Sequence, residues 1–195
     1  FVWAGRDQGI QLSGNFDRLG WWAGIQNGDD GGEDDYAYYG RVEFDIVGDG
    51  PGSVEGAMGA SEDLEISVGG AVYDDDSLDD GFVWALDAQS TISNFSFAGE
   101  AVGYDESYSN SGDDDAVAWN LQGTFMFVPD KWEVGARYEN MDDFFDDDVW
   151  VVTGAIAYYI EGHDAKIQAS YSHVDSDSDV LEDTESLQVG VTLAW

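Results

Sequence analysis

The run AVAWNLQGTFMFV, residues 116–128, alternates between two kinds of side chain with a period of two. One parity is apolar and largely aromatic: Val117, Trp119, Leu121, Gly123, Phe125 and Phe127. The other parity is mostly small or polar: Ala118, Asn120, Gln122, Thr124 and Met126. Because successive side chains of a β-strand point to opposite faces, the run predicts a strand with one apolar and one polar face.

Ten further runs repeat this alternation, and turn residues bound each of them. They are 7–16, 18–27, 36–47, 64–74, 82–90, 95–104, 132–140, 149–160, 165–174 and 185–195. The stretch VEGAMGAS, 54–61, is interpreted as part of a longer turn and not as another strand. The series predicts an all-β fold, an antiparallel up-and-down sheet of about eleven strands in one domain, 1–195.

The connections between these runs alternate between short and acidic. Five acidic connections each hold five Asp or Glu, which is 25 of the 42 acids in the chain: 28–35, 74–80, 105–115, 140–148 and 174–184. The others are short, except for 48–63. Because alternate connections of an up-and-down sheet share one rim, the acid is expected at one end of the molecule.

Composition excludes several functional classes. Six Lys and Arg stand against 42 Asp and Glu, a formal charge of -36, which opposes binding to nucleic acid. The 8 Trp, 10 Tyr and 10 Phe argue against disorder, and the lack of Cys excludes disulfides and cysteine nucleophiles. The sequence has no run of about 18 apolar residues, so no transmembrane helix is predicted. With two His and no GxGxxG, HExxH or phosphate-binding loop, no enzyme is predicted.

Two interpretations of the alternation remain open. A soluble sheet would pack its apolar face inward and solvate its acid. A membrane barrel would turn the apolar face to lipid and line a lumen with the polar face, with backbone pairing forcing closure. Strands of about 9–11 residues, short turns on one rim, longer loops on the other and aromatics near strand ends favour the membrane barrel.

On the membrane interpretation, charged and amide residues of the polar parity are pore-lining candidates. They are Arg41, Glu43, Asp45, Asp87, Glu100, Glu133, Arg137, Glu139, Lys166 and Gln168. The pairs Arg41 with Glu43 and Arg137 with Glu139 would either set a transverse field across a constriction or form cross-strand ion pairs in the wall. A lumen with this excess of carboxylates is expected to favour cations.

The acidic connections raise the question of bound metal. DSDSDVLEDTES, 175–186, superficially resembles an EF-hand loop, but Val180 replaces the turn glycine and Ser186 the bidentate glutamate. No cofactor and no specific metal site are therefore predicted. Diffuse Ca²⁺ or Mg²⁺ at the acidic outer loops, bridging lipopolysaccharide phosphates, is the alternative to a merely solvated surface. His163 is interpreted as a solvated turn residue, and His173 is given no role.

Five stretches, in order, resemble the C-terminal portion of the phosphate-selective porin O and P family. They are RDQGIQLSGNF (6–16), LGWWAGIQNG (19–28), DKWEVGARYENMDD (130–143), VVTGAIAYYIEGHDAKIQASYS (151–172) and ESLQVGVTLAW (185–195). The resemblance implies a 16-stranded, usually trimeric pore in the outer membrane of Gram-negative bacteria, in contact with lipid and lipopolysaccharide. It also implies passive diffusion of small solutes or ions.

The chain departs from that family in two respects. Eleven strands would leave the barrel about five strands short, so further strands are expected before Phe1 or from another chain. The family's anion selectivity rests on lumen-facing Arg and Lys, whereas this chain offers few, so phosphate selectivity is not expected. The predicted function is a passive porin for small hydrophilic solutes. The alternatives are a structural barrel that anchors a complex and a soluble acidic Ca²⁺-binding β domain.

Overall fold

The computed structural model describes residues 8–27, 36–52, 56–76, 81–105, 116–142, 148–176 and 183–193. These ranges form eleven β-strands. In chain order, β1 to β11 are Gly9–Phe16, Leu19–Asn27, Tyr36–Val47, Glu65–Asp75, Phe82–Ile92, Phe95–Tyr104, Ala116–Val128, Trp132–Asp142, Asp148–Glu161, Ala165–Ser176 and Thr184–Leu193. Every strand predicted from the alternation is confirmed, with ends that differ by at most two residues. Trp195, the last predicted strand residue, lies outside the described ranges.

The eleven strands form one sheet in which every strand pairs antiparallel with its neighbour in sequence. The order runs from β1 to β11 without a crossover, which confirms the up-and-down topology. β1 and β11 form the two edges, and no contact joins them within the described ranges. Those ranges hold no helix long and apolar enough to cross a membrane.

Tight turns set the register along one rim, which we call the short-turn rim. Asp17, Ser93 and Asp130 adopt positive φ values of 52°, 52° and 57° in three of its hairpins. Such left-handed residues match the twist of paired strands, which is why they recur in short hairpin loops. The same rim carries the longer connection between β3 and β4. The opposite, acidic rim carries the acidic connections, most of whose residues lie outside the described ranges.

The two faces of the sheet differ as the alternation predicts. We call the face that carries Leu121 and Val134 the apolar face, and the one that carries Asn120 and Glu133 the polar face. Large side chains of the apolar face are exposed, with Leu121 at 59% and Leu187 at 73%. A soluble sheet would cover such a face, because each large apolar side chain contributes about 1.5–3 kcal/mol on burial. Here no described element packs over it.

Aromatic rings form two bands on the apolar face. Towards the acidic rim, Trp119 contacts Tyr138 at 5.2 Å between ring centroids, and Tyr138 contacts Trp150 at 6.4 Å. Towards the short-turn rim, Phe95 stacks on Phe125 at 4.5 Å. Phe125 lies six positions after Trp119 on β7, roughly 20 Å along the strand. The apolar face therefore carries aromatic rings towards both of its margins.

Candidate functional site

All ten residues singled out from the sequence lie on the polar face, as the pairing register shows. The structure places eight of them in three groups. Arg41, Glu43 and Asp87 are joined, and so are Arg137 and Glu139. Glu133, Lys166 and Gln168 line one cavity near the short-turn rim. Glu100 and Asp45 lie beside the first two groups in the register.

Four carboxylates occupy one transverse row of the polar face, which we call the carboxylate row. Successive register partners from β3 to β8 are Glu43, Gly69, Asp87, Glu100, Asn120 and Glu139. At about 4.8 Å between strands, the row extends roughly 24 Å across the sheet. Asp45 lies one step nearer the short-turn rim. The row concentrates negative charge at one level of the polar face.

Arg41 reaches across β4 to a carboxylate two strands away. Its Nη1 donates to Asp87 Oδ1 at 2.5 Å and its Nη2 to Asp87 Oδ2 at 3.1 Å, a two-pronged guanidinium–carboxylate pair. Nη2 also donates to Glu43 Oε2 at 3.2 Å. One cation is thus shared by two anions, and the group keeps a net charge of -1.

A glycine on the intervening strand makes this reach possible. A Cβ atom at Gly69 would lie 2.5 Å from Asp87 Oδ2 and 2.6 Å from Arg41 Nη2. Any side chain there would occupy the space in which the two groups meet. Gly69 therefore determines that the two side chains pair across β4.

Replacing Gly69 by alanine is expected to lower the free energy of unfolding by roughly 1 kcal/mol, because the methyl displaces the ion pair and crowds its members. Gly70→Ala is the matched control, since its Cβ would meet Leu86 Cδ2 at an ordinary 3.4 Å on the apolar face. Urea unfolding followed by tryptophan fluorescence measures both. Equal losses would show that the pair does not require the glycine.

Arg137 forms its ion pair along its own strand. Its Nη2 donates to Glu139 Oε1 at 2.7 Å, whereas the sequence left open a cross-strand pair. Glu100 and Glu139 flank Asn120, whose Nδ2 lies 3.5 Å from Glu100 Oε2. Both strand arginines are therefore held by carboxylates. The side chains of Glu43 and Glu100 in the carboxylate row are exposed to solvent.

The connection between β3 and β4 extends over the polar face as far as β8 and β9. We call residues 56–60 the crossing segment. The Ala57 N–H donates to Glu133 Oε1 at 2.6 Å, and the Tyr159 hydroxyl donates to Glu133 Oε2. His163 Nε2 donates to the Met58 carbonyl at 3.2 Å. The segment is thus bound to strands more than 70 residues away in sequence.

Burial shows that these contacts form a packed junction. Ala57 is 2% exposed, Tyr159 2% and Glu133 5%, and Ala57 packs in one cluster with Met126 and Ala157. A buried carboxylate is tolerated when hydrogen bonds satisfy it, and Glu133 accepts two. Glu133 and its two hydrogen-bond partners therefore form a buried anchor that holds the crossing segment against the sheet.

Further hydrogen bonds hold the flanks of the segment to β5 and its turn. Gln89 Nε2 donates to the Gly52 carbonyl at 2.6 Å, and the Ser93 N–H donates to the Ser61 carbonyl at 2.7 Å. The connection is therefore fixed to β5 on one side and to β8 and β9 on the other. It bridges part of the polar face near the short-turn rim.

A polar cavity of about 840 Å³ lies against β7 to β10 beside the crossing segment. Gly56, Arg137, Lys166 and Gln168 are among its lining residues. Lys166 is 6% exposed and lies opposite Tyr159 in the register. This cavity collects polar side chains of both charges, which suits it to water and small hydrophilic solutes more than to apolar ligands.

Sequence reasoning missed the anchor. The sequence predicts Glu133 only as one of several pore-lining candidates and His163 as a solvated turn residue; the structure adds their contacts with the crossing segment. The signal available in the sequence was the length of 48–63 among otherwise short turns. The acidic connections fall largely outside the described ranges. Within those ranges no three His, Asp or Glu side chains form a group able to hold a metal ion.

Comparison with known proteins finds likeness in structure but none in sequence. No family model matches the sequence, and no curated protein matches it. A solved porin structure, refined at 1.8 Å, superimposes with a TM-score of 0.58 at 12% sequence identity. The match covers 94% of this chain and 60% of the porin chain. The likeness shows that the sheet has a porin-like fold.

Proposed function

We propose that this sheet is the wall of a bacterial outer-membrane porin, a passive and non-enzymatic channel for small hydrophilic solutes that favours cations. The single observation that carries the proposal is the polarity of the sheet. Its large apolar side chains are exposed on one face, and its charges gather on the other. A sheet with one exposed apolar face and one charged face is stable when lipid covers the apolar face.

Three features support the membrane environment. Aromatic rings lie towards both margins of the apolar face, as in the girdles of outer-membrane barrels, and the fold is porin-like. Backbone groups at the edges of β1 and β11 cannot remain unpaired in lipid, so the proposal requires that further strands pair with both edges and close the barrel. The resemblance to the porin O and P family is compatible with this architecture and extends the proposal to a trimer.

The carboxylate row supports a preference for cations. Rings of Asp and Glu attract cations in channels, whereas anion pores use Arg and Lys. On the described strands the polar face carries three cationic side chains, Arg41, Arg137 and Lys166, and carboxylates bind both arginines. Phosphate selectivity would need a predominantly basic polar face, so we propose that this chain does not share the family's preference for anions.

The crossing segment supports a narrow inner mouth. In a barrel whose lumen is the polar face, it would lie across the channel near the short-turn rim. The cavity beside it, about 840 Å³ and lined by polar groups, would be the passage that remains. Solutes larger than a small hydrated molecule would be held back there.

The acidic rim would face the outside of the cell, next to lipopolysaccharide. Its dense like charges favour counterions, and hard divalent cations prefer oxygen ligands. Diffuse Ca²⁺ or Mg²⁺ there would bridge the rim to lipopolysaccharide phosphates. No cofactor is required for the proposed transport.

The zero-current potential in a planar bilayer under a KCl gradient tests this function. We expect a cation-selective potential, which should fall towards zero when Glu43, Glu100 and Glu139 are replaced together by glutamine. Asp164→Asn, at a turn of the short-turn rim outside the row, is the matched control. An anion-selective potential would overturn the cation preference. Protein that enters bilayers without conducting would support a scaffold barrel, and protein that stays in solution without detergent would support the soluble alternative.

A further inference from the structure

Aromatic rings on the polar face lie against glycines of the sheet, between the carboxylate row and the acidic rim. A Cβ atom at Gly20 would lie 2.9 Å from Trp22 Cη2, and one at Gly24 would overlap the ring of Tyr39. Both rings therefore lie close to the backbone and cover it. Both residues are half-buried, so part of each remains exposed.

Hydrogen bonds fix the tyrosines of this group. The Tyr39 hydroxyl donates to Gln11 Oε1 at 2.8 Å, and the Tyr73 hydroxyl donates to Asp75 Oδ2 at 3.1 Å. Tyr39 and Tyr73 are direct register partners on β3 and β4. A hydrogen bond to the hydroxyl at the far end of a tyrosine ring leaves the ring little freedom to rotate. The two tyrosine rings therefore form a pre-organised surface.

These rings line one cavity of about 460 Å³ together with Arg41 and Glu43. Its walls include Gln11, Trp22, Tyr39, Tyr73, Arg41 and Glu43. The volume is within the range of small-ligand sites, which combine aromatic walls with a few polar groups. It lies over β1 to β5, away from the crossing segment, and so is distinct from the cavity at Glu133.

The charge at and beside the cavity selects its ligand. Arg41 and Glu43 line the cavity, and Asp87, which binds Arg41 from outside the lining, gives the three side chains together one negative charge in excess. The Glu43 side chain is 42% exposed, so it can meet a further cation. Aromatic faces attract cations within about 6 Å, and substituted ammonium groups are the ligands that combine apolar surface with positive charge.

From the rings, the excess charge and the cavity we infer that this part of the polar face binds organic cations of the substituted-ammonium class. The inference rests on the proposed function in one respect, that the polar face is a water-filled lumen. It goes beyond it by naming a solute class and a binding station. Such a cation would place its alkyl groups on Trp22 and Tyr39 and its charge towards Glu43.

Choline is a suitable probe, because it is small and carries a quaternary ammonium. Saturation-transfer NMR on the full chain in detergent micelles measures its binding without any current. The control ligand is the uncharged analogue of choline in which carbon replaces the nitrogen. We expect choline to bind at least about fivefold more tightly than this analogue, from cation–π attraction and the negative charge together.

Variants locate the site. Trp22→Ala and Glu43→Gln are each expected to weaken choline binding roughly fivefold, whereas Tyr39→Phe keeps the ring and should weaken it less. Tyr104→Ala is the matched control, since it removes a tyrosine of the same face that does not line this cavity. Unchanged circular dichroism establishes that each variant folds. Equal binding of the neutral analogue, or full binding by Trp22→Ala and Glu43→Gln, would overturn the inference.

A parallel measurement of K⁺ conductance separates this inference from the proposed function. Choline binding that is sensitive to Trp22 and Glu43, in protein that does not conduct, would support the site and contradict the pore. A cation-selective current with choline binding unaffected by both variants would support the pore and overturn the site.

Discussion

Leu121→Arg is expected to cost about 2–4 kcal/mol of folding free energy in lipid, the range for arginine near the bilayer midplane. Leu121 lies midway along β7 on the apolar face, with Gly99 and Tyr138 as its register partners. Its side chain is 59% exposed, so no protein atoms would shelter the charge. Urea titration of protein folded into phospholipid vesicles gives the free energy directly.

The neighbouring residue provides the matched control. Asn120→Arg introduces the same charge one position away, on the polar face between Glu100 and Glu139. It is expected to be neutral or stabilising by a few tenths of a kcal/mol, because opposite charges on facing strands attract. A loss below about 0.5 kcal/mol for Leu121→Arg would mean that the apolar face meets water. A larger loss for Asn120→Arg than for Leu121→Arg would mean that the faces are reversed.

The strands and their faces could be predicted because they follow from local rules. A period of two is built into the extended backbone, so the alternation in 116–128 indicates both the strand and its two faces. Short turns such as the one at Asp130 then leave little freedom in the pairing of neighbours. The all-β, up-and-down sheet needed no information beyond sequence neighbours.

The sequence predicts the face on which Arg41 and Asp87 lie, but not that they pair. The parity of each strand places both side chains on the polar face, but they belong to strands separated by β4. Their contact depends on the register of three strands and on the empty space above Gly69. A glycine between two charged positions of the same row was the available signal, and it acquires meaning only once the register is known.

The crossing segment could not be predicted, because its contacts are non-local. Ala57 and Glu133 are 76 positions apart, and neither has a sequence pattern that points to the other. Gly56 and Gly59, with φ values of 81° and 79°, let the chain turn towards the sheet. Their effect depends on where the curvature of the whole sheet brings β8. Global shape, and not local propensity, determines this part of the candidate site.

Glu133→Ala is expected to release the crossing segment. The substitution leaves the Ala57 N–H and the Tyr159 hydroxyl without the carboxylate that accepts both. Hydrogen bonds to a charged group contribute about 1.5–3 kcal/mol each, so a loss of about 3 kcal/mol shifts the packed segment towards the released one roughly a hundredfold. In the proposed porin, single-channel conductance should rise, since the inner mouth would widen.

Labelling gives a readout of release that does not depend on conduction. The chain has no Cys, so Ala57→Cys introduces a unique thiol at a position that is 2% exposed. Its maleimide reaction should be slow in the parent and far faster when Glu133→Ala is added. Glu133→Gln is the matched control, because the amide keeps an acceptor for the Ala57 N–H and should leave labelling slow. Equal labelling rates with glutamate and alanine at position 133 would show that packing around Met126 and Ala157, and not Glu133, holds the segment.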